Sequence, residues 1–473
     1  MDIVKEASKR FGQAPALIMQ EGSLSFADCE RESARIASTL TSLGIYPGDV
    51  VALVAPNGPE PLLLLMALLR IGAVAAPMNH RFPATHVDGM LERLAPKLTV
   101  YDPQACPSLT VERVITFETL EGLKKAATST GFTAEMAPDR PASIIHTSAS
   151  SGRPKSAMHS LSNHWHNAMG SAANLPFGPG DCWLLSLPIY HVGGFSMLFK
   201  CLLGGGALAI PPAGQSIAES LSHFKVTHLS LVPTQLYRML RTPGSTGLLR
   251  GVKAILLGGS AAGRALLEEA IEAGLPIYPT YGSTEMGSQI STSPEPVTSP
   301  SDDSGTLLPY REAAISPDGE ILIKGPCLFM GYLRHDGLDT ARDREGWFHT
   351  GDIGTLSDEG RLTVLGRRDN MFVSGGENIH PEEIEKALEA IEGIEEAIVV
   401  PVPDAEYGTK PAAWMLVNGK EPEDWEIAGR LAATVGRLKT PVAFRRIAAW
   451  VTLAGSNKID RGWYRKKVMS AEC

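Results

Sequence analysis

The chain reads as an α/β protein: a large N-terminal domain of layered sheets and helices with a small β subdomain, followed by a small, mobile α+β C-terminal domain. Three observations predict this. Short apolar runs alternate with helical stretches up to about residue 300. From about residue 305 the texture changes to short strands and tight turns. A charged, glycine-bearing stretch, GRRDNMFVSGGENIHPEEIE (residues 366–385), then breaks the hydrophobic pattern before a short final segment. With 473 residues the chain is too long for one core.

Residues 24–45 form an amphipathic helix, with Ile36, Leu40 and Leu43 on one face and Gly44 as its stop. The strand VVALVAP follows, then a helix over 60–71 and the strand AVAAPMN. This alternation predicts a parallel sheet covered on both faces. It continues through LTVYDP, SIIHTSAS, WLLSLPIYH, THLSLVPT, AILLGG and PIYPTYG, each ending in a polar or glycine-rich loop. Ligands of open α/β sheets sit at such loops. The β subdomain contains DGEILIKG, GWFHTGD and TLSDEGRLTVLG, with tight turns at Asp318-Gly319 and Glu359-Gly360. In 366–385, Pro381 followed by Glu382, Glu383 and Glu385 marks a helix start, because acidic side chains favour the positive end of the helix dipole. A polar pivot, a glycine pair and a new helix suit an interdomain hinge; an ordinary surface turn is the plainer reading of this stretch alone. Beyond it come a helix over 382–391, the strands EEAIVVPVPD and AAWMLV, a helix over 424–438 and a Lys/Arg-rich tail.

A hydrophobic share of 44% with 20% charged residues fits a soluble globular protein. The net charge of -9 argues against sequence-independent nucleic-acid binding, which needs clustered cations. Cys29, Cys106, Cys182, Cys201, Cys327 and Cys473 are scattered without a CxxC pair, as reduced thiols of a cytoplasmic protein would be. MDIVKEASKRFGQAP has no signal-peptide core, and the apolar run PLLLLMALLRIGAVAAP is broken by Arg70, so a buried helix is expected and no membrane span.

Three loops carry chemistry. In TSASSGRPKSA (147–157) hydroxyls, a glycine and Lys155 can wrap phosphate oxygens, although the spacing is not that of the P-loop. In TYGSTEMG (280–287) Tyr281 offers an aromatic face, Gly282 close approach, Ser283 and Thr284 hydroxyls, and Glu285 a carboxylate for Mg²⁺. In HTGDIG, Asp352 suits ribose hydroxyls. Taken singly, the first two are equally solvated polar loops, and the third is more readily a plain turn.

Together with the 366–385 stretch and LPIYHVGGFSM, ILLGGSAAG, GEILIKGPCLFMGYL, VPVPDAEYGTKPAAW and GSNKIDR, these loops resemble the adenylate-forming superfamily of acyl-CoA synthetases, luciferases and peptide-synthetase adenylation domains. The resemblance covers nearly the whole chain. It implies activation of a carboxylic acid by ATP and Mg²⁺ as an acyl-adenylate, then transfer to a thiol, coenzyme A. It also implies a phosphate loop of Thr147, Ser148, Ser150, Ser151, Gly152 and Lys155, with Tyr281 and Gly282 beside adenine. Thr284 would touch the α-phosphate, Glu285 the metal, and Asp352 with Arg367 the ribose. Asp369 takes the hinge position between domains 1–368 and 369–473. Lys458 takes that of the closing-motif lysine, and Gly375 and Gly376 would reach the pantetheine tunnel. His191, Gly193, Thr234, Arg238, Gly258 and Ser283 are the candidate acyl-pocket residues, with Gly259 and Ser260 on the wall opposite His191.

The chain departs from the pattern at Ala149 and Ser156, where glycine is usual, and at SNKI, where SGKI is common. None of these removes a charge. Amino-acid-activating members carry an Asp near His191, and none stands here. HLSLVPTQLYRML and CLLGGGAL are similar to the o-succinylbenzoate-CoA synthetases of menaquinone biosynthesis, whose substrate has two carboxylates and an aromatic ring. Another aryl- or fatty-acyl-CoA ligase, a module serving a carrier protein, and a binding protein that kept the fold without the activity are the alternatives. Members of this group often self-associate, so a homo-oligomer is possible.

Overall fold

The computed structural model describes residues 2–106, 109–126, 137–147, 155–260, 262–374, 377–404, 406–419, 422–453 and 459–469. The alternation of apolar runs folds into two large sheets rather than one. In the larger, the strands Ile277–Ser283, Ala254–Leu257, His228–Leu231, Cys182–Leu184, Ala207–Ala209 and Pro15–Met19 lie side by side in parallel. On the other side of Ile277–Ser283 every neighbour is antiparallel, through Ser288–Thr292, Asp303–Leu307, Arg361–Arg367, Phe348–Leu356, Glu320–Lys324 and Glu312–Ile315. The β subdomain expected from residue 305 is therefore an extension of the main sheet.

The second sheet repeats this plan. Val114–Thr116, Leu98–Tyr101, Val50–Val54, Val74–Pro77 and Pro141–His146 are parallel. Ser156–Ser160, Gly331–Arg334 and Gly337–Asp339 continue it antiparallel. In both sheets the parallel part ends at the strand that delivers a candidate phosphate or adenine loop. A ligand crevice forms where strand order or direction changes, because the loops there diverge.

Between the sheets lies one apolar cluster in which the helix Pro59–Ile71 is central, with Pro61 to Ile71 all buried. The apolar run that raised the membrane question is this core helix, and no helix among the described residues is long and apolar enough to cross a membrane. Arg70, only 4% exposed, is held by Asp2 at 3.2 Å and Glu30 at 2.8 Å, which explains a charge at that place. Phe26–Ser42 starts where Ser25 and Asp28 form a reciprocal cap. Ile3–Phe11, capped by Asp2, is a helix that the sequence reading did not assign.

From Phe372 onward the chain builds its own cluster, around Ile384, Leu388, Val399, Met415, Ile427 and Leu431. Its sheet joins Ile394–Asp404 and Gly408–Val417 antiparallel, with Phe444–Ile447 parallel at the edge. The helix at Pro381 runs to Glu389. The helix expected to reach 438 stops at Thr434, because Gly436 turns the chain at φ +91°, and a short 3₁₀ turn at Arg437–Lys439 follows. The basic tail contains the helix Arg461–Met469.

Candidate active site

The strand Ile277–Ser283 runs out into the loop that carries Thr284 and Glu285. Tyr281 lies half-buried on it and donates its phenol proton to Asp352 Oδ2 at 2.5 Å. Burial and the Asp352 carboxylate hold that phenol well above its ordinary pKa, so it remains a donor. Asp352 is buried, and its other oxygen accepts from Arg367 Nη1 at 2.9 Å. Tyr281, Asp352 and Arg367 are thus brought together from three strands.

Gly282 packs against the next strand so closely that a Cβ would stand 2.2 Å from the Ser288 carbonyl oxygen. Gly282→Ala must displace this loop, since the obstacle is backbone. We expect a loss of adenylation kcat/KM on the order of 10²-fold, since misplacement by about 1 Å costs that much. Acid-dependent ATP–pyrophosphate exchange, alongside an unchanged circular dichroism spectrum, checks it.

Glu285 accepts a hydrogen bond from the Tyr332 phenol at 2.6 Å through Oε1, and its carbonyl accepts from Phe329 N at 2.7 Å. Burial first, then Glu285, raises the Tyr332 phenol pKa. The Thr284 carbonyl accepts from His159 Nε2 at 2.7 Å, which fixes the proton on that nitrogen. Burial lowers the His159 pKa to about 4, so the ring is neutral. His159 and Tyr332 come from the second sheet and clamp a loop of the first.

Thr147 and Lys155 close the neck of the phosphate loop: Thr147 N donates to the Lys155 carbonyl at 2.9 Å, and Lys155 N to Thr147 Oγ1 at 3.1 Å. Ser156, one of the departures from the family pattern, lies beside His146 with Oγ 3.2 Å from Nδ1. The exposed Lys155 ammonium stands over the Tyr332 ring at 4.9 Å. Ser148, Ser150, Ser151, Gly152, Gly375, Gly376 and Lys458 lie outside the described residues.

On the acyl side, His191 precedes the helix Val192–Gly204, with its ring 4.7 Å from that of Tyr190. Asn57, in the loop after the strand Val50–Val54 of the second sheet, pins this segment through the carbonyls of Leu185 and Leu187 and the amide of Ile189. Gly193 is in the first turn of the helix, and Gly258 backs onto Thr280. Gly259 and Ser260 are exposed and Ser283 half-buried. Thr234 keeps its Oγ1 buried without a hydrogen-bond partner, whereas Arg238 is exposed in the last turn of Pro233–Arg241.

The sequence reading passed over Lys200. It is 4% exposed, donates to Gln289 Oε1 at 2.9 Å and lies over the Trp183 ring at 4.6 Å. No carboxylate pairs with it among the described residues. Burial, followed by the charge of Arg311, lowers its pKa to about 7. Arg311 itself is satisfied by the carbonyls of Gln289, Pro309 and Asn167. A single Lys inside the apolar helix VGGFSMLFKCLLG was the available signal.

Residues 4–333 match the family of AMP-binding enzymes, and residues 383–458 match the AMP-binding enzyme C-terminal domain. The 2-succinylbenzoate–CoA ligase of Salmonella typhimurium is 36% identical over 94% of this chain and 92% of its own length. That of Bacillus cereus is 32% identical over 90% of each. Among solved structures, the o-succinylbenzoate CoA synthetase (MenE) from Bacillus subtilis in complex with the acyl-adenylate OSB-AMP is 29% identical, covers 98% of both chains and superposes with a TM-score of 0.86. The same synthetase in complex with ATP and magnesium ion gives a TM-score of 0.84. The chain belongs to the family of AMP-binding enzymes, within its AMP-forming acyl-CoA ligases.

Proposed function

We propose that the protein is an ATP-dependent o-succinylbenzoate–CoA ligase. The observation that carries this substrate is Lys200. A buried ammonium without a carboxylate partner lies between the helix that follows His191 and the strand that follows Glu285. A substrate with two carboxylates can spend one on the chemistry and offer the other to this charge, a pairing that low dielectric strengthens. The full-length relatives bearing this activity in their names support the same acid.

Adenylation joins a substrate carboxylate oxygen to the α-phosphorus of ATP and expels pyrophosphate. Thr147 and Lys155 hold the triphosphate at the loop neck, Tyr281 offers adenine its ring face, and Asp352 with Arg367 takes the ribose hydroxyls. Thr284 touches the α-phosphate. Glu285 fits a hard cation: one oxygen is fixed by Tyr332, and the other has no partner among the described residues. Mg²⁺ held there would neutralise charge on the phosphoryl oxygens. In the second half-reaction the thiolate sulfur of coenzyme A attacks the acyl carbon, and AMP leaves. Between the steps, domain 369–473 turns about Asp369, withdrawing Lys458 and bringing Gly375-Gly376 to the pantetheine path. Use of ATP and coenzyme A is in keeping with a cytoplasmic location.

The test is AMP and thioester formation with ATP, Mg²⁺ and coenzyme A across o-succinylbenzoate, benzoates and short and medium fatty acids. The expected result is strong preference for o-succinylbenzoate. Equal or better turnover of a monocarboxylate would discard this substrate and leave another aryl- or fatty-acyl-CoA ligase.

A further inference from the structure

We propose that Glu320 is a positioning residue that ties the ribose-binding stretch 350–352 to Arg368 at the interdomain hinge. It rests on the reading of Asp352 and Arg367 as the ribose site. Glu320 opens the strand Glu320–Lys324 and is 3% exposed. Three donors from three places converge on its carboxylate. Gly351 N reaches Oε1 at 2.8 Å, while Arg368 Nη1 at 2.8 Å and His349 Nδ1 at 2.9 Å reach Oε2. A second Arg368 nitrogen pairs with Asp318.

Gly351 is the residue before Asp352, and its φ of +71° is a left-handed conformation that needs support. Thr350 Oγ1 adds a bond to the Ile321 carbonyl at 2.7 Å and accepts from Asp352 N at 3.0 Å. The loop is therefore held by the first two residues of one strand. Charge-assisted bonds of this kind are about twice as strong as neutral ones, and losing the acceptor takes from Gly351 N the partner that holds it.

Two consecutive arginines reach back to this loop, Arg367 directly through Asp352 and the Thr350 carbonyl, Arg368 through Glu320. Asn370 Nδ2 donates to Glu382 Oε1 at 2.7 Å, on the first helix of the small domain. Asp369 lies between, with a side chain 67% exposed and an ion pair to Arg367 at 3.5 Å. An exposed pair at that distance contributes little. The side chains of Arg367 and Arg368 are thus fastened to the ribose stretch, while Arg367 N, at 3.4 Å, and Asn370 Nδ2 both reach Glu382 Oε1 on the first helix of the small domain.

The test uses the full-length enzyme with Glu320→Ala, Glu320→Gln, Arg368→Ala and the double variant Glu320→Ala/Arg368→Ala, with Asp352→Ala as reference. Glu320→Ala should raise KM for ATP about five- to tenfold and leave KM for the acid within about twofold. The double variant should be no worse than Glu320→Ala, because Arg368 acts on the loop through Glu320. Glu320→Gln should recover part of the effect, since its amide oxygen still accepts from Gly351 N, and it serves if the alanine variant misfolds. Equal increases in KM for ATP, acid and coenzyme A, or multiplying effects in the double variant, would overturn the proposal. If Asp352→Ala raises KM for ATP and Glu320→Ala does not, the clamp alone fails. If Asp352→Ala leaves it unchanged, the ribose reading is wrong and the clamp falls with it.

Discussion

Lys200→Met is expected to lower kcat/KM for o-succinylbenzoate on the order of 10²-fold while making the free protein more stable. The two effects share one cause. The ammonium has one oxygen acceptor, Gln289 Oε1, and an aromatic face, Trp183. Burial lowers its pKa to about 7, against about 10.4 for an unfolded chain. Between those values the unfolded state binds more protons, so the parent's stability rises with pH across this window. Below pH 7 the native state carries the full cost of the buried charge. Methionine has similar volume and no charge, so its advantage is on the order of 1–3 kcal/mol below pH 7 and fades towards pH 10. Denaturant titrations at pH 6.5 and 9.5 measure this. With substrate the balance reverses, because a carboxylate beside Lys200 compensates the buried ammonium. A benzoate lacking the second carboxylate should lose less than about threefold in the variant. Arg238→Ala gives the contrast, since an exposed charge is screened and should change the dicarboxylate KM little. Selective loss in Arg238→Ala with none in Lys200→Met would move the second carboxylate to the helix Pro233–Arg241.

Lys200 also shows how far the sequence could be read. An isolated cation in an apolar helix is visible on the line of text, but Gln289 is 89 residues away and its approach depends on the fold. The same separation hides Tyr332 from Glu285, 47 residues apart, and Arg368 from Glu320, 48 residues apart. Local features were legible where local physics decides them. The runs HLSL and AILL are short central strands buried on both faces, and the helix at Pro381 begins where its first-turn carboxylates require. The reversal from parallel to antiparallel at Ile277–Ser283 was not legible, since apolar runs look alike in either orientation. Nor was the early end of the strand at Leu184 within WLLSLPIYH, where Asn57 gathers the following backbone into a loop. Lys458, Gly375 and Gly376 are identified through resemblance alone. For them experiment has to supply the geometry.

Lys458→Ala is expected to lower adenylation by about 10²–10³ and leave thioester formation from supplied acyl-adenylate largely intact. In adenylation two anions meet, and charge builds on the phosphoryl oxygens as the bond to phosphorus forms. A placed ammonium offsets it by electrostatics rather than by proton transfer. In the second step the acyl carbon is already activated and AMP is the leaving group, so that cation has no comparable task. The residues flanking this motif are firmly built. Thr452 bridges to Ile459, Tyr464 is buried against Trp414, and Arg461 grips both oxygens of Glu385 at 2.5 and 2.6 Å. Glu385 belongs to the helix Pro381–Glu389, directly after the hinge position, so Arg461 is tied to the first helix of the small domain. Glu385→Gln should therefore weaken adenylation through placement of Lys458, by less than Lys458→Ala, and its defect should disappear in the Lys458→Ala background. Pyrophosphate exchange reports the first half-reaction, and thioester formation from synthetic acyl-adenylate the second. Equal loss of both in Lys458→Ala would end the two-conformation assignment. The reaction would then need a lysine that serves a single closed state.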